Sequence, residues 1–202
     1  MDSPGRTPSA PALTKSQWRE RVLAARRTLD PDVRAAEDRA VAAAAHDLGT
    51  TAGASATVCA YVPVGREPGS IEMVESLSLV VGRVLLPVAG APGPLQWAPY
   101  RGRDALVRAS FGLLEPARPH LPPEAVAEAA LVLVPALAVD RRGVRLGRGA
   151  GFYDRSLALA DPGARLIAVV RDDELVDQLP EDPHDIRMGE ALTPARGVQL
   201  LR

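Results

Sequence analysis

The sequence predicts a single-domain, three-layer α/β/α fold built on a mostly parallel sheet. Three observations predict it. Thr57 to Val62 (TVCAYV), a helical stretch from Ile71 and the run Arg83 to Val88 (RVLLPV) form a strand–helix–strand unit of about 30 residues, the span of a right-handed parallel βαβ unit. The runs at Thr57, at Leu131 to Val134 (LVLV) and at Arg165 to Val170 (RLIAVV) are apolar at consecutive positions, as in strands covered on both faces. A chain of 202 residues, 47% of them apolar, can bury a sizeable core in one domain.

Residues 1–13 are rich in Pro, Ser and Gly and read as a flexible lead-in; residues 14–202 are expected to form the domain. Thr14 is the N-cap candidate for a helix from Lys15 to Thr28. On it Trp18, Val22 and Ala25 fall near one face, and Lys15, Arg19 and Arg26 on a more basic side. Asp30-Pro31 opens a second helix reaching about Leu48, with proline in its first turn. The loop Pro63 to Pro68 (PVGREP) sits at the C-terminal end of the first strand, where parallel sheets bind ligands, and this brings Glu67 into view. The helix from Ile71 is expected to end at Gly82. Leu95 to Leu106, with Trp97 and Tyr100, reads as a hairpin or irregular strand, and Phe111 to Pro116 (FGLLEP) as a turn. Pro119 to Pro123 is surface-like, and Glu124 to Ala129 a helical turn before the central strand. A helix from Phe152 to Leu159, a turn at Asp161-Pro162-Gly163 and the strand from Arg165 follow. A helical stretch is expected after Asp172 and before Pro180. An acidic loop (Glu181 to Asp185) and a weak strand ending at Thr193 complete the chain.

The net charge of −1 argues against a general nucleic-acid or membrane-surface binder. No run of about 18 apolar residues exists to span a membrane. The N-terminus lacks a continuous apolar signal core, so a cytoplasmic location is expected. The single cysteine, Cys59, excludes an internal disulfide and a Cys-clustered metal site, and its apolar context suits a buried small hydrophobe.

Between the central strand and the helix at Phe152 lies Gly147-Arg148-Gly149-Ala150-Gly151. Alternating glycines let backbone N–H groups approach an anion, and Arg145 and Arg148 suit phosphate oxygens. The loop is not a Walker A motif, and Asp140 to Leu146 separates it from the preceding strand, unlike a dinucleotide fingerprint. A tight glycine hairpin is the plain structural alternative. Asp154 either interacts with the dipole of the following helix or holds Mg²⁺ beside a triphosphate. Asp185 converges from the acidic loop. Asp140 and Asp182 stay open as further carboxylates, and His184 as a base or an incidental loop residue.

The run VPALAVDRRGVRLGRGAGFYDRSL resembles the signature of the 5-formyltetrahydrofolate cyclo-ligase family, also called methenyltetrahydrofolate synthetase. Lys15-x-x-x-Arg19, YVPVGREPGS, the strand from Gly82-Arg83 to Pro87, FGLLEP and the close PEDPHDIRMGEALTP match in order, so the resemblance covers about residues 14 to 197. Val139 stands where phenylalanine is common, Phe152 where tyrosine is, and Gly189 where an aspartate often stands.

The resemblance implies conversion of ATP and 5-formyltetrahydrofolate to 5,10-methenyltetrahydrofolate, ADP and phosphate, with Mg²⁺. Its small-molecule substrates bring no nucleic-acid or membrane partner, and a monomer or weak dimer is expected. Carried over, Lys15, Arg19 and the loop Arg145, Leu146, Gly147, Arg148, Gly149, Ala150, Gly151, Phe152 and Tyr153 contact ATP. Arg148 to Phe152 also border the folate, with Glu67, Val62 and Trp97. Trp97 either stacks on the pterin or fills a core short of aromatics. Arg148 and Tyr153 are the catalytic candidates, and Asp154 and Asp185 the metal ligands. The alternative weighed is a non-cyclising folate- or nucleotide-binding protein on the same scaffold.

Overall fold

The computed structural model describes residues 13–90, 92–108 and 114–202. The lead-in expected before Thr14 therefore lies outside the described residues except for Leu13, as does the Phe111–Leu113 part of FGLLEP.

Helix α1 (Lys15–Thr28) begins as expected: the Thr14 hydroxyl accepts from the Gln17 N–H while the Gln17 side chain accepts from the Thr14 N–H, a reciprocal capping box. Helix α2 (Pro31–Ala52) starts from Asp30, whose carboxylate accepts from the N–H groups of Asp32 and Val33. It runs one turn past Leu48, to Ala52, where Gly53 caps it at φ 101° by donating its N–H to the Gly49 carbonyl, while the Thr50 and Thr51 hydroxyls donate back to the carbonyls of His46 and Asp47.

The seven-stranded sheet contains β1 (Thr57–Cys59), β2 (Arg83–Val88), β3 (Gln96–Pro99), β6 (Ala129–Pro135), β9 (Arg165–Val169), β11 (Glu190–Thr193) and β12 (Gly197–Leu200), in the order β12-β11-β9-β6-β1-β2-β3. The pairs β11–β9, β9–β6, β6–β1 and β1–β2 are parallel; the edge pairs with β12 and β3 are antiparallel. The mostly parallel sheet is thus as predicted, closed on both edges by a hairpin-type strand. Two further strands, β4 (Leu106–Arg108) and β5 (Leu114–Pro116), pair antiparallel beside it. A separate small sheet joins β7 (Ala138–Asp140), β8 (Arg145–Leu146) and β10 (Leu175–Val176).

Alternate residues of the strands feed two apolar clusters, one on each face. Val58, Val84, Leu131, Leu133 and Ile167 meet Val41, Ala45 and Leu48 of α2 and Met73, Val74 and Leu77 of α3 (Ile71–Ser78). Cys59, Leu85, Val132, Val134 and Ala168 meet Ala125 and Val126 of a 3-10 turn and Leu157 of α4 (Phe152–Leu157). A third cluster packs Val22 of α1 on Leu137, Ala138, Val144 and Leu146 of the small sheet.

The helix expected between Asp172 and Pro180 does not form. Asp172–Glu174 is one 3-10 turn, and Leu175 and Val176 then pair as β10 with β7. The Glu174 carboxylate turns inward to buried partners, and these bonds outweigh the local helical pattern.

Going from β1 to β2 the chain moves towards one edge of the sheet, and from β6 to β9 towards the other. The gap between the C-terminal ends of β1 and β6 is therefore the topological switch point, where doubly wound sheets hold ligands.

Candidate active site

Two loops face each other across that switch point. The loop after β1 carries Glu67, which is buried while its neighbour Arg66 is exposed. Its backbone is held from three sides. The Glu67 carboxylate accepts from the Val64 N–H (2.9 Å), Arg34 of α2 donates to the Gly65 carbonyl (2.8 Å), and Asp38 accepts from the Gly69 N–H (3.0 Å). Val62 is half-buried against the α2/α3 side of the core.

The loop after β6 is the glycine loop, and its base is the β7–β8 hairpin. Asp140, fully buried, accepts from the N–H groups of Arg142, Val144 and Leu179 and pairs with the Arg142 guanidinium. It is a structural acceptor, which removes it from the open carboxylates. Gly143 closes the hairpin at φ 87°, its carbonyl accepting from the Met188 N–H at 2.8 Å. A Cβ at Gly143 would overlap the Met188 carbonyl oxygen. Gly143→Ala is therefore expected to destabilise the fold by about 3 kcal/mol, a drop in Tm of roughly 6–12 °C. A thermal melt within about 1 °C of the unaltered protein would refute this account of the hairpin.

Four cations fix the loop. Arg19 donates from Nε to the Gly147 carbonyl (3.0 Å), and its guanidinium lies 3.5 Å from where a Gly149 Cβ would stand. Gly149 has φ 103°, a left-handed conformation that glycine adopts without strain. Arg145, buried, pairs with Asp154 (3.0 Å), donates to the Pro135 carbonyl (3.3 Å) and lies over the Tyr153 ring. Arg155 donates to the Ala150 carbonyl (2.9 Å) and covers the Phe152 ring. Arg148, 56% exposed at its side chain, reaches across the switch point to Glu67 at 3.0 Å. Helix α4 is six residues, shorter than predicted, so the positive charge facing the loop comes mainly from arginines and little from a helix dipole.

Tyr153 is half-buried. Burial first, then the nearby Glu67 carboxylate, push its phenol above the ordinary value, while Arg145 opposes this. The hydroxyl stays protonated and able to donate at neutral pH.

Lys15, at the first turn of α1, bridges Asp185 (2.6 Å) and Asp182 (2.7 Å). Partial burial alone would lower its pKa, but the two hydrogen bonds outweigh this and hold it above the ordinary value; the same contact holds Asp182 below the usual carboxylate range. Ligand atoms of Asp182, His184 and Asp185 lie within 4.8 Å of one another. Asp154 is outside this cluster, its carboxylate on Arg145. The two metal candidates thus stand on different partners, and Asp182 and His184 join Asp185. Two carboxylates in reach of each other, with a cation already between them, fit a hard, oxygen-seeking ion such as Mg²⁺.

Trp97 is fully buried in the cluster shared with Leu85, Leu95 and Val126. Its ring has no exposed face for a pterin, so of the two roles left open by the sequence it takes core filling. Sequence reasoning missed Arg155, which braces the loop at the Ala150 carbonyl.

A sequence model of the 5-formyltetrahydrofolate cyclo-ligase family matches residues 12–194. A protein named 5-formyltetrahydrofolate cyclo-ligase from Mycolicibacterium smegmatis is 53% identical over 194 residues, covering 94% of this chain and 98% of the relative. The Escherichia coli protein of the same name is 30% identical over 146 residues, 69% of this chain and 79% of the relative. In fold, the NMR structure of Aquifex aeolicus 5,10-methenyltetrahydrofolate synthetase superposes with a TM-score of 0.74 at 24% identity, covering 93% of each chain. With the family match spanning nearly the whole chain and the switch-point loops in place, the chain belongs to the 5-formyltetrahydrofolate cyclo-ligase family.

Proposed function

We propose that the switch-point site couples ATP cleavage to ring closure of 5-formyltetrahydrofolate, giving 5,10-methenyltetrahydrofolate, ADP and phosphate. The observation that carries this reading is the Arg148–Glu67 pair. It brings a glycine- and arginine-rich loop, chemically suited to phosphate, against a buried carboxylate suited to the N–H groups of a pterin.

The chemistry needs activation, because an amide-like formyl oxygen is a poor leaving group. The formyl oxygen attacks the γ-phosphorus and ADP leaves. N10 then attacks the activated formyl carbon and gives up its proton, and the oxygen departs with phosphate, which carries that proton away. Little covalent work falls to the protein, whose task is positioning and charge stabilisation.

Lys15 and Arg19 bind the triphosphate, and the N–H groups of Gly147 to Gly151 approach its oxygens. Arg148 leaves Glu67 for the transferring phosphoryl group, which its exposure permits, and Glu67 is released to the folate. Phe152 and Val62 border the folate, and the neutral Tyr153 hydroxyl donates beside the loop. Asp185, Asp182 and Asp154 are the carboxylates that would hold Mg²⁺, which neutralises phosphate charge when bound. Among the described residues no helix is long and apolar enough to cross a membrane. The reading places the enzyme in the cytoplasm, with its ATP, as a monomer or weak dimer.

Incubation with Mg-ATP and 5-formyltetrahydrofolate is expected to raise the near-ultraviolet absorbance of the methenyl product. Folded protein that binds ATP yet produces no such absorbance would overturn the reading.

A further inference from the structure

Helix α1 turns three cations to the body of the protein. Lys15, Arg19 and Arg26 stand at i, i+4 and i+11, which is one helical face about 16 Å long. The first two reach the acidic loop and the glycine loop. Arg26, 3% exposed, does something else.

Its Nε and Nη2 meet the two carboxylate oxygens of Glu174 at 2.6 and 2.8 Å, and Nη2 also donates to the Ala136 carbonyl at 2.8 Å. Glu174 further accepts from the Arg171 N–H at 2.8 Å. The buried Arg171 guanidinium pairs with Glu37 of α2 (2.8 Å) and donates to the Arg66 carbonyl (3.2 Å). Arg66 in turn donates to the Arg26 carbonyl at 3.0 Å. The circuit closes on itself through the segments that follow β1, β6 and β9, which form the rim of the site.

The apolar contacts of α1 cannot set its position alone. Val22 is its one buried apolar residue, with Trp18 and Leu23 half-buried. Apolar contact is non-directional and leaves a helix free to roll or slide. A guanidinium fork on a carboxylate is directional, and in a buried setting it is costly to disengage.

We propose that Arg26 is a positioning residue for the nucleotide half of the site, its fork to Glu174 fixing α1 so that Lys15 and Arg19 meet the triphosphate. The proposal rests on the reading of those two residues as nucleotide contacts.

The test uses the full chain, with Mg-ATP binding followed by calorimetry and KM measured for each substrate, well below each variant's Tm. Arg26→Lys keeps the charge and loses the fork. Arg26→Met combined with Glu174→Gln removes both charges, so neither is left buried and unpaired. Both variants are expected to bind ATP about tenfold or more weakly, with KM for the folate within about twofold. An unchanged ATP affinity in folded protein overturns the proposal. So does a parallel rise of both KM values, which signals general loosening, or failure of both variants to fold, which makes Arg26 a core residue only. Lys15→Ala and Arg19→Ala test the underlying reading separately. If neither weakens ATP binding while the unaltered protein turns over, the nucleotide assignment fails and takes the positioning role with it. If they do weaken it, only the Arg26 variants decide.

Discussion

Arg148→Ala is expected to lower kcat/KM for ATP by about 10²–10³-fold while moving Tm by no more than about 2 °C. The asymmetry follows from where the side chain stands. Arg148 is more than half exposed and makes its ion pair with Glu67 at the rim, so little packing is lost with it. Solvent screens this pair through the exposed Arg148, and the Glu67 carboxylate keeps the Val64 N–H as a donor when Arg148 is lost, so its removal costs less than breaking a pair buried at both ends. In the proposed reaction the same side chain turns to the transferring phosphoryl group, where charge develops in the transition state. Glu67, left without its partner, should also bind the folate differently. KM for the folate is therefore expected to change alongside the larger loss in ATP. A thermal melt and steady-state kinetics on one preparation decide it. Loss of stability matching the loss of ATP use would assign Arg148 to the fold.

Asp154→Asn is expected to cut turnover by about 100-fold or more and to raise the Mg²⁺ concentration needed for half-maximal rate. Asparagine keeps the size of the side chain and removes its charge. The structure adds a second consequence. Arg145 is buried and has Asp154 as its carboxylate partner, so the substitution leaves a guanidinium without a counter-ion. Breaking a buried pair costs about 3–5 kcal/mol, and a fall in Tm of roughly 6–20 °C should accompany the kinetic effect. The two effects separate by magnesium titration. A purely structural role would lower Tm and leave the Mg²⁺ dependence of the remaining folded enzyme unchanged, and that result would remove Asp154 from the metal set.

Much of the architecture was legible. Thr14 as a helix cap, the second helix opening at Asp30-Pro31, the βαβ unit from Thr57 to Val88 and the buried runs at Leu131 and Arg165 all appear in the structure, because helix starts and apolar periodicity are written within a few residues of where they act. The helix predicted after Asp172 failed for the opposite reason: its spacing was local, but the demand on Glu174 came from Arg26, 148 residues earlier in the chain. Asp140 likewise read as an open carboxylate until the hairpin closed around it. Trp97 could stack or pack from sequence alone, and complete burial decided for packing.

The sequence by itself determined the fold class, the glycine loop and, through an ordered set of motifs, the family. Only the tertiary structure decided who pairs with whom. Arg148 meets Glu67 across 81 positions, Lys15 meets Asp185 across 170, and Arg145 rather than Asp185 meets Asp154. Motif chemistry is a property of a few adjacent residues, whereas an ion pair needs two side chains brought within about 3 Å, and that distance is set by strand order and loop path.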